Sequence, residues 1–230
     1  MGVRAAAVPA DLGDFGQIDT VVERTEQELG PVDLLINNAG IESSASFTRR
    51  TRDGLTAMVD INLTAPMLLT HRVLPGMLTR GEGHVVFISS LAGKRGIGYL
   101  EPYCATKAGI INLVQSLRAE YSGVPVGFSV VCPGFVMGDG MFQRYLDEGM
   151  RAPRLPGHTT ADRVAAKVLA AIVRDLPEVH VNSVPLRPLL ALAEVAPRFV
   201  ERLAPLFGAD RFFRRASAAR GLVDSAAEDY

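Results

Sequence analysis

Three side chains near the middle of the chain could together move a proton. Tyr103 and Lys107 are four residues apart in the segment Tyr-Cys-Ala-Thr-Lys, a spacing that places both side chains on one face of a helix. A phenol with its ordinary pKa of about 10 is a poor acid–base catalyst at neutral pH, and a neighbouring ammonium lowers that pKa. Ser90 ends an apolar run thirteen residues before the tyrosine. The set predicts a hydroxyl that orients a substrate oxygen and a phenol that exchanges a proton with it.

Taken alone, the Tyr-x-x-x-Lys spacing is also typical of an ordinary helix surface. Two other segments that follow apolar runs favour the functional interpretation of the pair. Asn37–Gly40 comes after Leu34–Ile36, and Pro133–Val136 comes after the run ending at Cys132. Because ligands bind at the carboxyl ends of strands in an open parallel sheet, these segments are expected to converge on one crevice. Asn62 lies inside a long helical pattern, where its side chain could hold a water or a backbone group.

Two periodicities alternate along the chain and predict the elements that position these residues. Apolar, β-rich runs occur at Val3–Val8, Val32–Ile36, His84–Ile88, Pro125–Val131 and Val179–Val181. Helical patterns lie between them, at about Phe15–Leu29, Arg52–Arg80, Tyr103–Tyr121 and Ala161–Asp175. Runs that are continuously apolar indicate strands covered on both faces. The sequence therefore predicts an α/β fold with a doubly wound, mostly parallel sheet.

Composition excludes several other classes of protein. The 230 residues carry a net charge of −1, which argues against a nucleic-acid binder. Cys104 and Cys132 are too few for a disulfide framework or an all-cysteine zinc site, and no His-x-x-x-His or Cys-x-x-Cys pair suggests a metal. Ser90 lacks the flanking glycines of a hydrolase nucleophile. Without a secretory signal or an apolar run long enough to span a bilayer, a cytoplasmic protein is expected.

Assembled in order, these motifs resemble the short-chain dehydrogenase/reductase family. The likeness extends from about Val3 to Asn182 and includes five motifs: Asp11-Leu12, Asn37–Gly40, Asn62, Ser90 with Tyr103 and Lys107, and Pro133–Val136. The resemblance implies a Rossmann-like fold, NAD or NADP as cofactor, and interconversion of a carbonyl and a secondary alcohol in a small molecule. It also implies a homo-oligomer, paired through the helix at Tyr103–Tyr121. The apolar content of Met137–Thr160 indicates an apolar substrate.

The resemblance also implies a role for each matching residue. Tyr103 would be the general acid or base, Lys107 would lower its pKa and bind the nicotinamide ribose, Ser90 would orient the reacting oxygen, and Asn62 would hold a water in the proton relay. The expected cofactor contacts are Asp11 and Leu12 at the adenine, Asn38, Ala39 and Gly40 at the adjacent ribose, and Pro133, Gly134 and Val136 near the nicotinamide.

The chain departs from the family pattern at its beginning. The family starts with a strand and a Thr-Gly-x-x-x-Gly-x-Gly turn that holds the cofactor phosphates, and the printed sequence contains no such turn. Residues 1–183 are therefore expected to form an incomplete domain that lacks the first two strands, with Leu34–Ile36 as an exposed apolar edge. A late start codon, a truncated gene and a minimal variant with weakened cofactor binding remain open, as does a non-catalytic remnant that acts only through subunit contacts. The choice between NAD and NADP cannot be read, and Gly138 stands where the family often has a threonine.

Residues 184–230 differ in character from the rest of the chain. Four prolines interrupt an apolar sequence, and Arg211, Arg214 and Arg215 surround Phe212-Phe213. One interpretation is a set of short helices that cap the domain or form an oligomer interface. The other is a lid over an apolar substrate, or an amphipathic surface that touches a membrane.

Overall fold

A computed structural model describes residues 2–138, 140–153 and 157–223. Its centre is a parallel sheet of four strands in the order β1-β2-β3-β6, and two further strands pair with each other in parallel. The strands are β1 (Leu34–Asn37), β2 (His84–Ile88), β3 (Gly127–Pro133), β4 (Phe135–Met137), β5 (His158–Thr160) and β6 (Glu178–Val181). The predicted α/β class with a doubly wound parallel sheet is confirmed.

Helices flank the sheet and form the carboxyl-terminal part of the described chain. They are α1 (Gly16–Leu29), α2 (Arg52–Val59), α3 (Ala65–Arg80), α4 (Glu101–Glu120), α5 (Met141–Asp147), α6 (Ala161–Val173), α7 (Arg187–Val195), α8 (Pro197–Phe207) and α9 (Ala209–Ala219). A π-helical turn at Asp60–Thr64 divides the predicted helix Arg52–Arg80 into α2 and α3. No helix of the described residues is long and apolar enough to cross a membrane.

Local sequence signals account for several helix ends. Thr51 caps α2 by accepting a hydrogen bond from the Gly54 N–H, and Thr160 caps α6 by accepting one from the Arg163 N–H. Gly81 ends α3 in the left-handed conformation, with φ of 71°. Polar caps and a glycine therefore fix where these helices begin and end, and packing against the rest of the chain stabilises their interiors.

The core lies on both faces of the sheet, as the continuously apolar strands require. On one face, Phe87 and Phe128 pack with Met77, Ile110 and Val114 from α3 and α4. On the other, α6 covers the sheet in a cluster made of Val86, Val131, Val168, Ala171, Val179 and Val181. Burial of this kind contributes about 1.5–3 kcal/mol per large apolar side chain, which makes the sheet a rigid base for the loops at its carboxyl edge.

The predicted strand at Val3–Val8 is wrong. These residues pair with no strand of the described chain, because a lone extended segment without a neighbour cannot form the ladder that defines a strand. The predicted apolar edge is confirmed: β1 is the terminal strand, and Leu34 and Ile36 are 51% and 47% exposed.

Candidate active site

The site forms where β2 ends and meets the first turns of α4. The Ser89 hydroxyl donates to the Lys107 carbonyl oxygen at 2.7 Å, which ties the end of the strand to the helix. Gly93 allows the loop to approach α4, because a Cβ there would lie 2.6 Å from the Lys107 carbonyl carbon. The close approach of two backbones brings Ser90 towards the helix that carries Tyr103 and Lys107.

Ser90, Tyr103 and Lys107 converge as their spacing predicts. The Ser90 hydroxyl lies beside the Tyr103 phenol. It donates to the Pro133 carbonyl oxygen at 3.5 Å and accepts from the Ala92 N–H at 3.1 Å. Lys107 Nζ lies 5.7 Å from the centroid of the Tyr103 ring and donates to the Ile88 carbonyl oxygen at 2.8 Å. The geometry assembles a hydroxyl, a phenol and an amine around one point.

Burial governs the charges of this group. Desolvation raises the pKa of Tyr103 above its ordinary value, the neighbouring Ser90 hydroxyl works in the opposite direction, and the charge of Glu42 adds to the rise. Desolvation also lowers the pKa of Lys107 to about 8, since the side chain is only 4% exposed. Lys107 therefore remains mostly an ammonium at neutral pH, and loses that charge within the mildly alkaline range.

Asn62 holds the loop that follows β1. It lies in the π-helical turn and is buried. Its amide nitrogen donates to the Ile41 carbonyl oxygen and its amide oxygen accepts from the Ile41 N–H, both at 2.8 Å. These paired bonds fix the Asn38–Ile41 backbone. The water that the resemblance assigns to Asn62 stays a prediction, since both ends of the side chain already contact Ile41.

Gly40 lies close to both Asn62 and Lys107, an approach that its lack of a side chain allows. A Cβ at Gly40 would lie 3.0 Å from Asn62 Oδ1 and 3.6 Å from Lys107 Nζ. Asn38 and Ala39 are exposed directly before it. A buried ammonium, a phenol hydroxyl and an open backbone are groups that can bind the hydroxyls of a ribose. Tyr103 and Lys107 fit the ribose of the nicotinamide half of a dinucleotide, and the role of Asn38, Ala39 and Gly40 at the ribose adjacent to the adenine stays a prediction.

The expected adenine contacts belong to the turn that precedes α1. Asp11 is exposed and Leu12 is half-buried, and the Asp11 carboxylate accepts from the Gly13 N–H at 2.9 Å. Gly13 approaches Ile61 of the π-helical turn, so the Asp11 turn adjoins the residue next to Asn62. The adenine role of Asp11 and Leu12 stays a prediction.

The segment after β3 takes its expected place at the carboxyl edge of the sheet. The Gly134 N–H donates to the Val181 carbonyl oxygen at 3.0 Å. A Cβ at Gly134 would lie 2.7 Å from Asn182 Oδ1, so a side chain here would require the Asn182 side chain to move. Val136 pairs with Thr159 in the β4–β5 ladder. Pro133, Gly134 and Val136 thus lead from the sheet into the segment that carries α5.

Sequence reasoning missed Glu42, which approaches the site from the loop after Gly40. The Tyr145 hydroxyl donates to Glu42 Oε1 at 2.6 Å, and the Arg220 guanidinium lies 4.7 Å from the Tyr145 ring centroid. Desolvation raises the pKa of the Glu42 carboxyl. The available signal was a carboxylate two residues after Gly40, directly beyond the glycine that adjoins Lys107.

Aromatic side chains from three elements wall this side of the site. Phe135 and Phe142 have ring centroids 4.4 Å apart, and the rings of Phe212 and Phe213 from α9 pack against both Phe135 and Tyr145. Tyr103 packs against the same cluster. The cluster gives Tyr103 an apolar surrounding. In the described part of the chain no group of three or more His, Cys, Asp or Glu side chains could hold a metal ion.

Comparisons with known proteins identify the family of the chain. The family model described as short chain dehydrogenase matches residues 1–148. The ketoacyl reductase HetN of Nostoc sp. is 37% identical over 224 residues, which cover 95% of this chain and 77% of that protein. The 3-oxoacyl-[acyl-carrier-protein] reductase MabA of Mycobacterium avium is 34% identical over 148 residues, 64% of this chain and 57% of that protein. The chain therefore spans less than two thirds of the length of MabA.

A solved structure shows the same architecture. A short-chain dehydrogenase from Streptomyces avermitilis superposes with a TM-score of 0.72, covering 88% of this chain and 79% of that one, at 24% sequence identity. At that identity the likeness establishes the fold alone. The family match over more than half of the chain and the sequence identity with HetN establish the family as well. The chain belongs to the short-chain dehydrogenase family of NAD(P)-dependent oxidoreductases.

Proposed function

We propose that this protein interconverts a carbonyl and a secondary alcohol, with Tyr103 as the acid–base residue and NADH or NADPH as the hydride donor. The observation that carries the proposal is the convergence of Ser90, Tyr103 and Lys107 at the end of β2. A nicotinamide cofactor, when bound, supplies or accepts the hydride.

The residues of the chain supply orientation and the proton. In carbonyl reduction, Ser90 donates a hydrogen bond to the carbonyl oxygen, and Tyr103 donates its phenolic proton to that oxygen as the carbon gains the hydride. The Lys107 ammonium stabilises the resulting phenolate. In the reverse direction the phenolate accepts the alcohol proton. Asn62 keeps the Asn38–Gly40 backbone in place through its two bonds to Ile41.

A 3-oxoacyl thioester is the substrate class that fits this site best. HetN and MabA carry the names of ketoacyl and 3-oxoacyl reductases, and the half-buried Phe135 and Met137 of the cluster around Tyr103 offer apolar contacts to an acyl chain. Because α9 contributes Phe212 and Phe213 to that cluster, we assign residues 184–230 to the same functional unit as residues 1–183.

A homo-oligomer paired through α4 is also part of the proposal. The outer face of α4 is exposed and carries small or polar residues, namely Ala105, Ala108, Asn112, Gln115 and Ser116. Small side chains allow two copies of a helix to approach closely across a two-fold axis.

Turnover by the Tyr103→Phe variant tests the mechanism. The variant keeps the ring and removes only the hydroxyl, so we expect the rate of NADH- or NADPH-dependent reduction of a 3-oxoacyl thioester to fall by about 10²–10⁴-fold, the usual contribution of general acid catalysis. The thermal midpoint should stay near that of the wild type. Tyr121→Phe, which removes a hydroxyl just after the same helix, is the matched control and should keep full activity. A Tyr103→Phe variant that turns over like the wild type would refute the mechanism.

A further inference from the structure

The hairpin formed by α7 and α8 presents apolar side chains that the described chain leaves uncovered. Phe199 and Leu206 are seven residues apart on α8, which puts them on one side of the helix, and they are 55% and 71% exposed. On α7, Leu192 and Val195 are exposed too, and that helix buries none of its residues. Exposed apolar groups of this size, gathered on one hairpin, mark an interaction surface.

Arginines border these apolar side chains. Residues 187–207, which form the hairpin, contain three arginines and two glutamates, a net charge of +1, whereas the whole chain has a net charge of −1. Arg198 and Arg202 flank Phe199 on α8, and neither forms an ion pair within the described residues. The exposed apolar side of the hairpin is therefore bordered by free cations.

We propose that the α7–α8 hairpin lies on an anionic lipid surface, with Phe199 and Leu206 inserted among the acyl chains and Arg198 and Arg202 at the level of the phosphates. An apolar helix face with arginines beside it is the composition of helices that lie in the plane of a membrane interface. Long arginine side chains can bury their stems against apolar surface while the guanidinium stays at the polar level.

The charge distribution favours lipid over a second copy of the chain. A symmetric dimer would place the same surface on both partners, so the arginines of one hairpin would face those of the other. Like charges at an interface oppose association. An anionic membrane offers the opposite charge together with an apolar layer.

The hairpin is joined directly to the wall of the candidate active site. α8 ends at Gly208, which adopts φ of 74°, and α9 begins at the next residue. Four residues into α9, Phe212 and Phe213 enter the aromatic wall beside Tyr103. A hairpin lying on lipid would therefore hold the apolar side of the site close to the bilayer. The docking itself does not depend on catalysis.

Vesicle co-sedimentation tests the proposal. The purified chain is mixed with vesicles of phosphatidylcholine and phosphatidylglycerol, and separately with vesicles of phosphatidylcholine alone. We expect binding to the anionic vesicles, weaker binding to the neutral ones, and a decline as salt is added. The double variant F199S/L206S should lower the partition coefficient by at least about tenfold, and R198Q/R202Q should lower it by about fivefold for each charge removed.

The matched control is F47S/L169S, which removes a phenylalanine and a leucine that are 59% and 63% exposed elsewhere on the chain. It should bind like the wild type. Since all four residues are exposed, both double variants should keep the wild-type thermal midpoint. Three results would overturn the proposal: no binding to anionic vesicles, equal loss in the control, or a dimer in solution that F199S/L206S dissociates, which would show a second copy on this face.

Discussion

At the scale of single residues, the burial of Lys107 opposes the positive charge that the proposed chemistry requires. Its side chain is almost fully buried, and desolvation lowers its pKa to about 8. The Ile88 carbonyl oxygen accepts a hydrogen bond from its amine. The fold thus stabilises the neutral amine more than water does, while the proposed chemistry requires the ammonium next to Tyr103. Such opposition between stability and charge is common in active sites.

This opposition has a measurable effect on stability. The ordinary pKa of lysine is 10.5, against about 8 in the folded chain, so between these pH values the unfolded state holds the proton more strongly. The contribution of Lys107 to the free energy of unfolding therefore rises with pH across this window. The free energy of unfolding of the wild type, relative to that of Lys107→Met, should therefore increase by about 3 kcal/mol as the pH rises from below the folded pKa to above the unfolded one.

Urea denaturation at several pH values measures this gain. Lys167→Met on α6, where the side chain is exposed, is the matched control and should show a constant difference from the wild type. A constant difference for Lys107→Met as well would contradict the assigned burial of the ammonium.

The contacts of Glu42 join positions that are far apart in the sequence, so local sequence patterns do not predict them. Its hydrogen bond to Tyr145 joins positions 103 residues apart, and Arg220 reaches the same ring from α9. No spacing rule connects these positions, whereas Tyr103 and Lys107 follow from the helical repeat alone. The charge of Glu42 still acts on Tyr103 by raising its pKa. Local motifs therefore predicted the acid–base set but missed a carboxylate that influences it.

At the scale of elements, the close approach between the turn after Ser90 and α4 positions the site. Gly93 has no space for a side chain, because a Cβ would lie 2.6 Å from the carbonyl carbon and 2.7 Å from the carbonyl oxygen of Lys107. Both atoms belong to a helix backbone that cannot rotate away. A Cβ at Gly96, three residues later, would have no atom within 4 Å.

We therefore expect Gly93→Ala to destabilise the chain by about 1–3 kcal/mol, the usual range for a forced backbone shift. It should also lower turnover, since the shift separates Ser90 from Tyr103. Gly96→Ala, at a position with open space, should change neither. Urea denaturation and steady-state rates measure both effects. A Gly93→Ala variant as stable and as active as the wild type would show that the two backbones are not in contact.

The helical pattern Arg52–Arg80 shows how periodicity can predict an element and miss its interruption. A π-helical turn adds one residue to a helical turn while apolar residues continue on the buried side. The extra residue places Asn62 where it can bond both backbone groups of Ile41. Continuous apolar runs, by contrast, predicted β2 and β3 to within two residues, because burial on both faces leaves few alternatives.

At the scale of the whole molecule, charge and exposed apolar surface are distributed unevenly. The sheet ends in β1, where Leu34 and Ile36 are exposed, and the α7–α8 hairpin exposes Phe199 and Leu206 next to arginines. The Val3–Val8 pattern has the composition of a strand but lies outside the sheet. A strand needs a partner, which is a property of the assembled sheet and cannot be read from the segment itself.

Direct binding of NADH and NADPH to the purified chain tests the central claim, that Tyr103 and Lys107, beside the Asn38–Gly40 backbone, hold a nicotinamide cofactor. Calorimetry should show saturable binding of one or both. Gly40→Val should weaken it, because even a Cβ at Gly40 would lie 3.0 Å from Asn62 Oδ1 and 3.6 Å from Lys107 Nζ, so the larger side chain displaces them. Gly96→Val, at an open position, should not. A folded chain that binds neither dinucleotide, or binds both unchanged when Gly40 is valine, would contradict the account.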